Sequence, residues 1–346
     1  MAATGRADRV DFGWQGIRLR VPADWSLGKV DGNYKSGYAR LDDAEIVRAE
    51  VEWRESPPSS SRRLPIPDLV DRYLEKLNKK AEKTGTEFTV QRRAKFLKDK
   101  RWLEGSDYEA FTWEADFRAY NLARACGKCG RIILVRVLEP KHESDPALAE
   151  EVFRSLRDHG TDGHIFWCIY GMSFWTPEEL ALSTHGLKSG NIQLTFEMKG
   201  HICKIQRLSM AQVLLKETSL REWYPAFFKK ELRDLDYTLT EERVKEHNGL
   251  RMEGRPRSRW RQLLRPLPFV NPRPRQYADT RIWHCEESNK ICVVDHLYRK
   301  KGEKGHLSQT LTNGYVCHQK KTEADSRGHD ELATGQKRIA AVGEER

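Results

Sequence analysis

The stretch "WQGIRLRVPADWSL", residues 14 to 27, returns at residues 169 to 182 as "IYGMSFWTPEELAL". Gly16 answers Gly171, Pro22 answers Pro177 and Leu27 answers Leu182 at one spacing. The correspondence runs on. "KSGYARL" at 35 matches "KSGNIQL" at 188, and "IVRAEVEW" at 46 matches "HICKIQRL" at 201. "RWLEG" at 101 matches "LRMEG" at 250, and "ARACGKCGRII" at 123 matches "IWHCEESNKIC" at 282. Matching blocks in one order are the signature of an internal duplication. They divide the chain into an N-terminal extension (1–9), a first repeat (10–159), a second repeat (164–317) and a tail (318–346). The tail has no apolar periodicity and reads as disordered.

Within each repeat, alternating segments such as "IRLRV" and "EIVRAEVEW" predict strands. Leu69, Tyr73 and Leu77 recur at helical spacing in the first repeat. Ser219 and Glu222 form a capping-box pattern ahead of the aromatic stripe Trp223, Tyr224, Phe227 and Phe228 in the second. Asp145 and Pro146 open a closing helix, with Leu148, Val152 and Leu156 on its face. Consecutive strands on short turns, with helices between and after them, predict an α+β fold: two duplicated domains, each an antiparallel sheet packed with helices. The opening "GIRLRVPADWSL" resembles the start of PsbP-like domains, the group of the PsbP and Mog proteins. That resemblance implies an α/β/α sandwich and a non-catalytic role in binding or assembly.

The composition bounds the function. A chain of 346 residues with 38% hydrophobic and 32% charged residues is that of a soluble globular protein. No apolar run reaches the roughly 20 residues of a membrane span, and the first residues lack the apolar centre of a signal peptide. Seven cysteines, an odd number, fit a reduced compartment, so the expected location is cytoplasmic. No P-loop, GxGxxG, GxSxG or HExxH motif is present. An enzyme with a site between the repeats stands as an alternative to a binding or scaffold protein.

Two features carry chemistry. Cys126 and Cys129 flank a turn between two predicted strands, which has the form of a zinc knuckle. The pair supplies two ligands of the four that a structural site needs. Cys285, Cys292 and Cys317 are the candidates for the remainder, with His284 and His318 beside them. The expectation is an incomplete site, exposed or finished by a partner. A plain turn bearing two thiols, or a redox pair, are the other readings. Cys168 and Cys203 fall on strand patterns and read as core.

The second feature is "RMEGRPRSRWRQLLRPLPFVNPRPR", residues 251 to 275. Its eight arginines against one glutamate carry seven of the ten net positive charges. Arg255, Arg257, Arg259 and Arg261 alternate, so an extended chain points them one way, and Trp260 could stack on a base. This loop is the candidate contact for nucleic acid or another polyanion, the alternative to a protein partner.

Overall fold

The computed structural model describes residues 8–56, 65–257, 276–299 and 306–318. The chain begins with five strands, β1 (Arg9–Trp14), β2 (Ile17–Pro22), β3 (Ser26–Gly32), β4 (Ser36–Asp42) and β5 (Val47–Glu55). Helix α1 (Ile66–Thr84) follows, then β6 (Thr89–Gln91), β7 (Asp107–Glu114), β8 (Phe117–Ala125), β9 (Arg131–Pro140) and helix α2 (Pro146–Ser155). The second half opens with β10 (His164–Ile169), β11 (Met172–Pro177), β12 (Ala181–Lys188), β13 (Asn191–Met198) and β14 (His201–Ser209). Three short helices come next, α3 (Ala211–Leu214), α4 (Leu220–Phe227) and α5 (Lys229–Leu232). The half closes with β15 (Leu235–Val244), β16 (His247–Pro256), β17 (Tyr277–Cys285), β18 (Lys290–Tyr298) and helix α6 (His306–Gly314).

Two seven-stranded antiparallel sheets result, ordered β3-β4-β5-β9-β8-β7-β6 and β12-β13-β14-β18-β17-β16-β15. Raising each strand number by nine converts the first order into the second. A third sheet, β11-β10-β1-β2, joins the halves, with Gly13 of β1 paired to Cys168 of β10.

Local details repeat with the topology. Gln15 and Gly16 turn β1 into β2 with both φ angles positive, and Tyr170 and Gly171 do the same between β10 and β11. Two successive left-handed residues suit the twist of a tight hairpin, and glycine takes the second place without steric cost. Pro22 and Pro177 end the second strand of each pair. Edge strands β3 and β12 each carry a bulge, just after Leu27 and just after Leu182. The "RWLEG" and "LRMEG" blocks do not coincide. The first includes a 3-10 turn (Arg101–Leu103) ahead of β7, and the second lies inside β16.

The expected α+β class, and with it the PsbP-like α/β/α sandwich, is corrected. The fold is dominated by antiparallel β structure in three sheets. Sequence patterns undercount the strands because β3 and β12 are largely exposed edges with no apolar alternation. They also suggest one helix between β14 and β15 where three short ones stand. Pro225 lies inside α4, which ends at Phe227 with Phe228 as its C-cap, since proline removes a helical N–H and crowds the preceding turn.

One core draws on all three sheets. Trp14 and Trp167, from the joining sheet, meet edge to face at 5.4 Å, and Trp167 meets Phe196 of β13 at 5.0 Å. Phe174 of β11 touches both Phe196 and Tyr315. Val152, Phe153 and Leu156 bring α2 into this core, and Leu311 brings α6. Two smaller clusters fill the far faces, under α1 around Phe111 and under α4 around Trp223 and Tyr224. The closing helices α2 and α6 therefore sit on the shared-core side. Each delivers the segment after it to the end of a β hairpin.

Candidate metal centre

Residues 126–130 connect β8 to β9. Cys126 donates its backbone N–H to Arg131 O at 2.8 Å and accepts at its carbonyl from Gly130 N at 3.1 Å. Gly130 has a φ of +72°, a value glycine adopts freely. The turn aims two backbone N–H groups, of Lys128 and Cys129, at Cys126 Sγ at 3.4 and 3.5 Å. Such donors stabilise a thiolate, which is the ligand form of cysteine. Left as a thiol, Cys126 is pushed up to about 11, chiefly by burial.

The segment after α2 completes the group. Asp158 and His159 bring a carboxylate and an imidazole to the two thiols, and one ligand atom from each of the four residues lies within 4.8 Å of every other. Cys126 Sγ is 3.6 Å from His159 Nδ1, and Cys129 Sγ is 4.0 Å from Asp158 Oδ2. Tetrahedral zinc with bonds of about 2.3 Å to sulfur and about 2.0 Å to nitrogen puts neighbouring ligands roughly 3.5–3.8 Å apart; the Cys126–His159 distance falls in that range, and the 4.0 Å between Cys129 and Asp158 lies just above it. Burial alone would raise the Asp158 carboxyl, but Arg124 and the hydrogen bonds from Cys126 and His159 outweigh it and hold it below the usual range. Arg124 Nη2 lies 3.2 Å from Asp158 Oδ1. Arg131 fixes the backbone here: its guanidinium donates to Gln15 O at 2.8 Å, to Tyr34 O at 3.0 Å and to Asp158 O.

The other cysteines lie in the second half. Cys285 and Cys317 join His247 and His318 in a separate group of four. Cys292 is fully buried and donates to Tyr315 Oη at 3.6 Å, outside both groups. Cys203 is in the core, and Cys168 donates to Asp11 O at 2.9 Å. The incomplete site expected at Cys126 is thus met by four donors from one chain. Motif reading misses Asp158, His159 and His247. A signal is present for two of them: an Asp-His pair follows the first closing helix where Cys317-His318 follows the second.

Of the basic loop, Arg255 is exposed near the end of β16, and Arg257 is exposed and pairs with Asp236 at 3.0 Å. Arg259, Trp260 and Arg261 lie outside the described residues, as does the tail from 319. No described helix is long and apolar enough to cross a membrane. One cleft of about 370 Å³ runs between α1 and its sheet, lined in part by Leu69, Tyr73, Phe111 and Leu134; it lies within the first half.

No family model matches the chain, and no curated protein matches it. Among solved structures it is similar to an immunity protein, TplEi of the T6SS from Pseudomonas aeruginosa, complexed with "L" peptide. The TM-score is 0.34 at 10% identity, over 90% of this chain and 97% of that one. A likeness at that level carries no argument.

Proposed function

We propose that this chain is a non-catalytic binding or scaffold protein of the cytoplasm, with a protein as its partner, stabilised by zinc at Cys126, Cys129, Asp158 and His159. The observation that carries the reading is the donor set. Four protein ligands close a tetrahedral site, whereas a catalytic zinc keeps a position for water or substrate. The thiolates and the imidazole suit zinc over magnesium or calcium, which prefer oxygen. The site ties the β8–β9 turn to the segment after α2, residues 33 apart in sequence for Cys126 and His159, so the metal acts as a cross-link. The test is cobalt substitution of the purified protein. The expected spectrum is that of tetrahedral cobalt with thiolate charge transfer, unchanged by added azide or cyanide. A spectrum that shifts with those anions reveals an open position and overturns the non-catalytic reading.

A further inference from the structure

The first cluster has a counterpart built in register. Cys126, Cys129, Gly130, Asp158 and His159 each have a residue 159 positions on: Cys285, Ser288, Asn289, Cys317 and His318. The backbone follows the same path. Cys285 ends β17 as Cys126 follows β8, and Asn289 takes a φ of +52° where Gly130 takes +72°. Asparagine is among the residues that tolerate this conformation. Two ligand positions are kept, Cys285 and His318, with Sγ and Nδ1 3.3 Å apart. One is exchanged, Asp158 for Cys317. One is lost, Cys129 to Ser288, and a residue from outside the register makes up the number. His247, at the first position of β16, brings Nε2 to 3.2 Å from Cys317 Sγ. Cys317 Sγ in turn is 3.4 Å from His318 Nδ1.

We propose that the second half holds its own zinc ion, bound by His247, Cys285, Cys317 and His318, so that the chain carries two zinc ions, one per half. Two thiolates and two imidazoles are a set typical of structural zinc. The compensation is the strongest argument. Loss of a ligand at Ser288 is matched by gain of one at His247, and the total remains four. The surroundings also fit. His318 presents Nε2 to Glu246 at 3.5 Å, and His247 presents Nδ1 to Glu287 at 3.8 Å. Glu246 therefore stands behind the His318 nitrogen that faces away from the sulfurs, the arrangement that orients metal-bound histidines, whereas Glu287 Oε2 lies at the cluster itself, 3.3 Å from Cys285 Sγ and 3.9 Å from His318 Nδ1. Cys285, Cys317 and His247 are all buried.

This inference extends the zinc reading of the Cys126 cluster, and either can fail alone. The experiment is zinc content per chain by elemental analysis of the full-length protein, for the parent and for Cys126→Ser, Cys285→Ser, His247→Ala and His247→Cys. Two zinc ions in the parent are expected, falling to one in Cys126→Ser, Cys285→Ser and His247→Ala. His247→Cys keeps two, because it restores a fourth ligand. A parent with one zinc that Cys285→Ser retains overturns the second site and leaves the first standing. A parent with one zinc that Cys126→Ser retains overturns the first and leaves the second. Should Cys285→Ser fail to fold, the parent stripped by chelator and titrated with cobalt decides. Two tetrahedral equivalents support the proposal. Saturation at one equivalent that Cys126→Ser abolishes sinks the second site, and one equivalent that Cys126→Ser retains sinks the first.

Discussion

Replacing Arg131 by methionine should cost the protein far more than one surface ion pair. The guanidinium is 1% exposed and donates to three carbonyls, those of Gln15, Tyr34 and Asp158. It also lies over the Tyr34 ring, 4.2 Å from its centroid. Methionine fills much of the space but donates nothing, so three carbonyls lose their charged donor. Hydrogen bonds to charged groups contribute about 1.5–3 kcal/mol each. They are not additive when one side chain makes all three, so the expected loss is about 3–5 kcal/mol. Arg131→Lys should fall between, because one ammonium cannot reach three carbonyls set around a planar fork. Urea denaturation followed by tryptophan fluorescence measures the change in midpoint. The loss should be accompanied by weaker zinc binding at the Cys126 site alone, since Arg131 holds the Asp158 backbone. A stability within about 1 kcal/mol of the parent, for Arg131→Met, would show that these contacts are not what fixes the first cluster.

Phe174→Ala removes a fully buried ring that touches Trp167, Phe196 and Tyr315. Calorimetry should show a loss of about 3–5 kcal/mol, the usual cost of emptying such a site. Asp43 accepts from the amides of Glu45 and Ile46 and pairs with Arg48. Burial opposes ionisation there, but those donors outweigh it and lower the Asp43 pKa. A depressed carboxylate stabilises the fold above its unfolded value of about 3.9 and loses that contribution as pH falls through the folded value. Asp43→Asn should therefore be less stable than the parent at pH 7, with the difference shrinking in urea titrations taken below about pH 4.

The duplication is legible in sequence because its markers are backbone requirements. Gly16 and Gly171 both turn a hairpin with positive φ, and Pro22 and Pro177 both stop a strand. Such residues survive divergence of the side chains around them. The proportion of β structure is less legible. An edge strand needs no apolar alternation, and in β12 the pattern Ala181 to Lys188 is mostly exposed. The helical stripe of α1 is, by contrast, plain in sequence, and it invites more weight than a few helices beside two seven-stranded sheets can carry. Ile66, Val70 and Leu74 are buried there, with Leu69 and Tyr73 only partly so.

The two donor clusters lie where local pattern ends and tertiary geometry begins. A CxxC turn states two ligands locally, and its sequence neighbours say nothing about the rest. The remaining two arrive through the closing helix, whose length and packing set where the next residues land. Because α2 and α6 both lean on the shared core, the segments after them reach matching hairpins, and Asp158-His159 and Cys317-His318 occupy the same place. A single offset of 159 residues connects the two sites. It pairs Cys126 with Cys285, and carried to the end of each repeat it pairs His159 with His318. What no offset could supply is His247. It has no counterpart in the first cluster, and it reaches the second only because β16 lies beside β17 in the sheet. Ser288 stands in register with Cys129, and the second group still numbers four donors because β16 supplies His247.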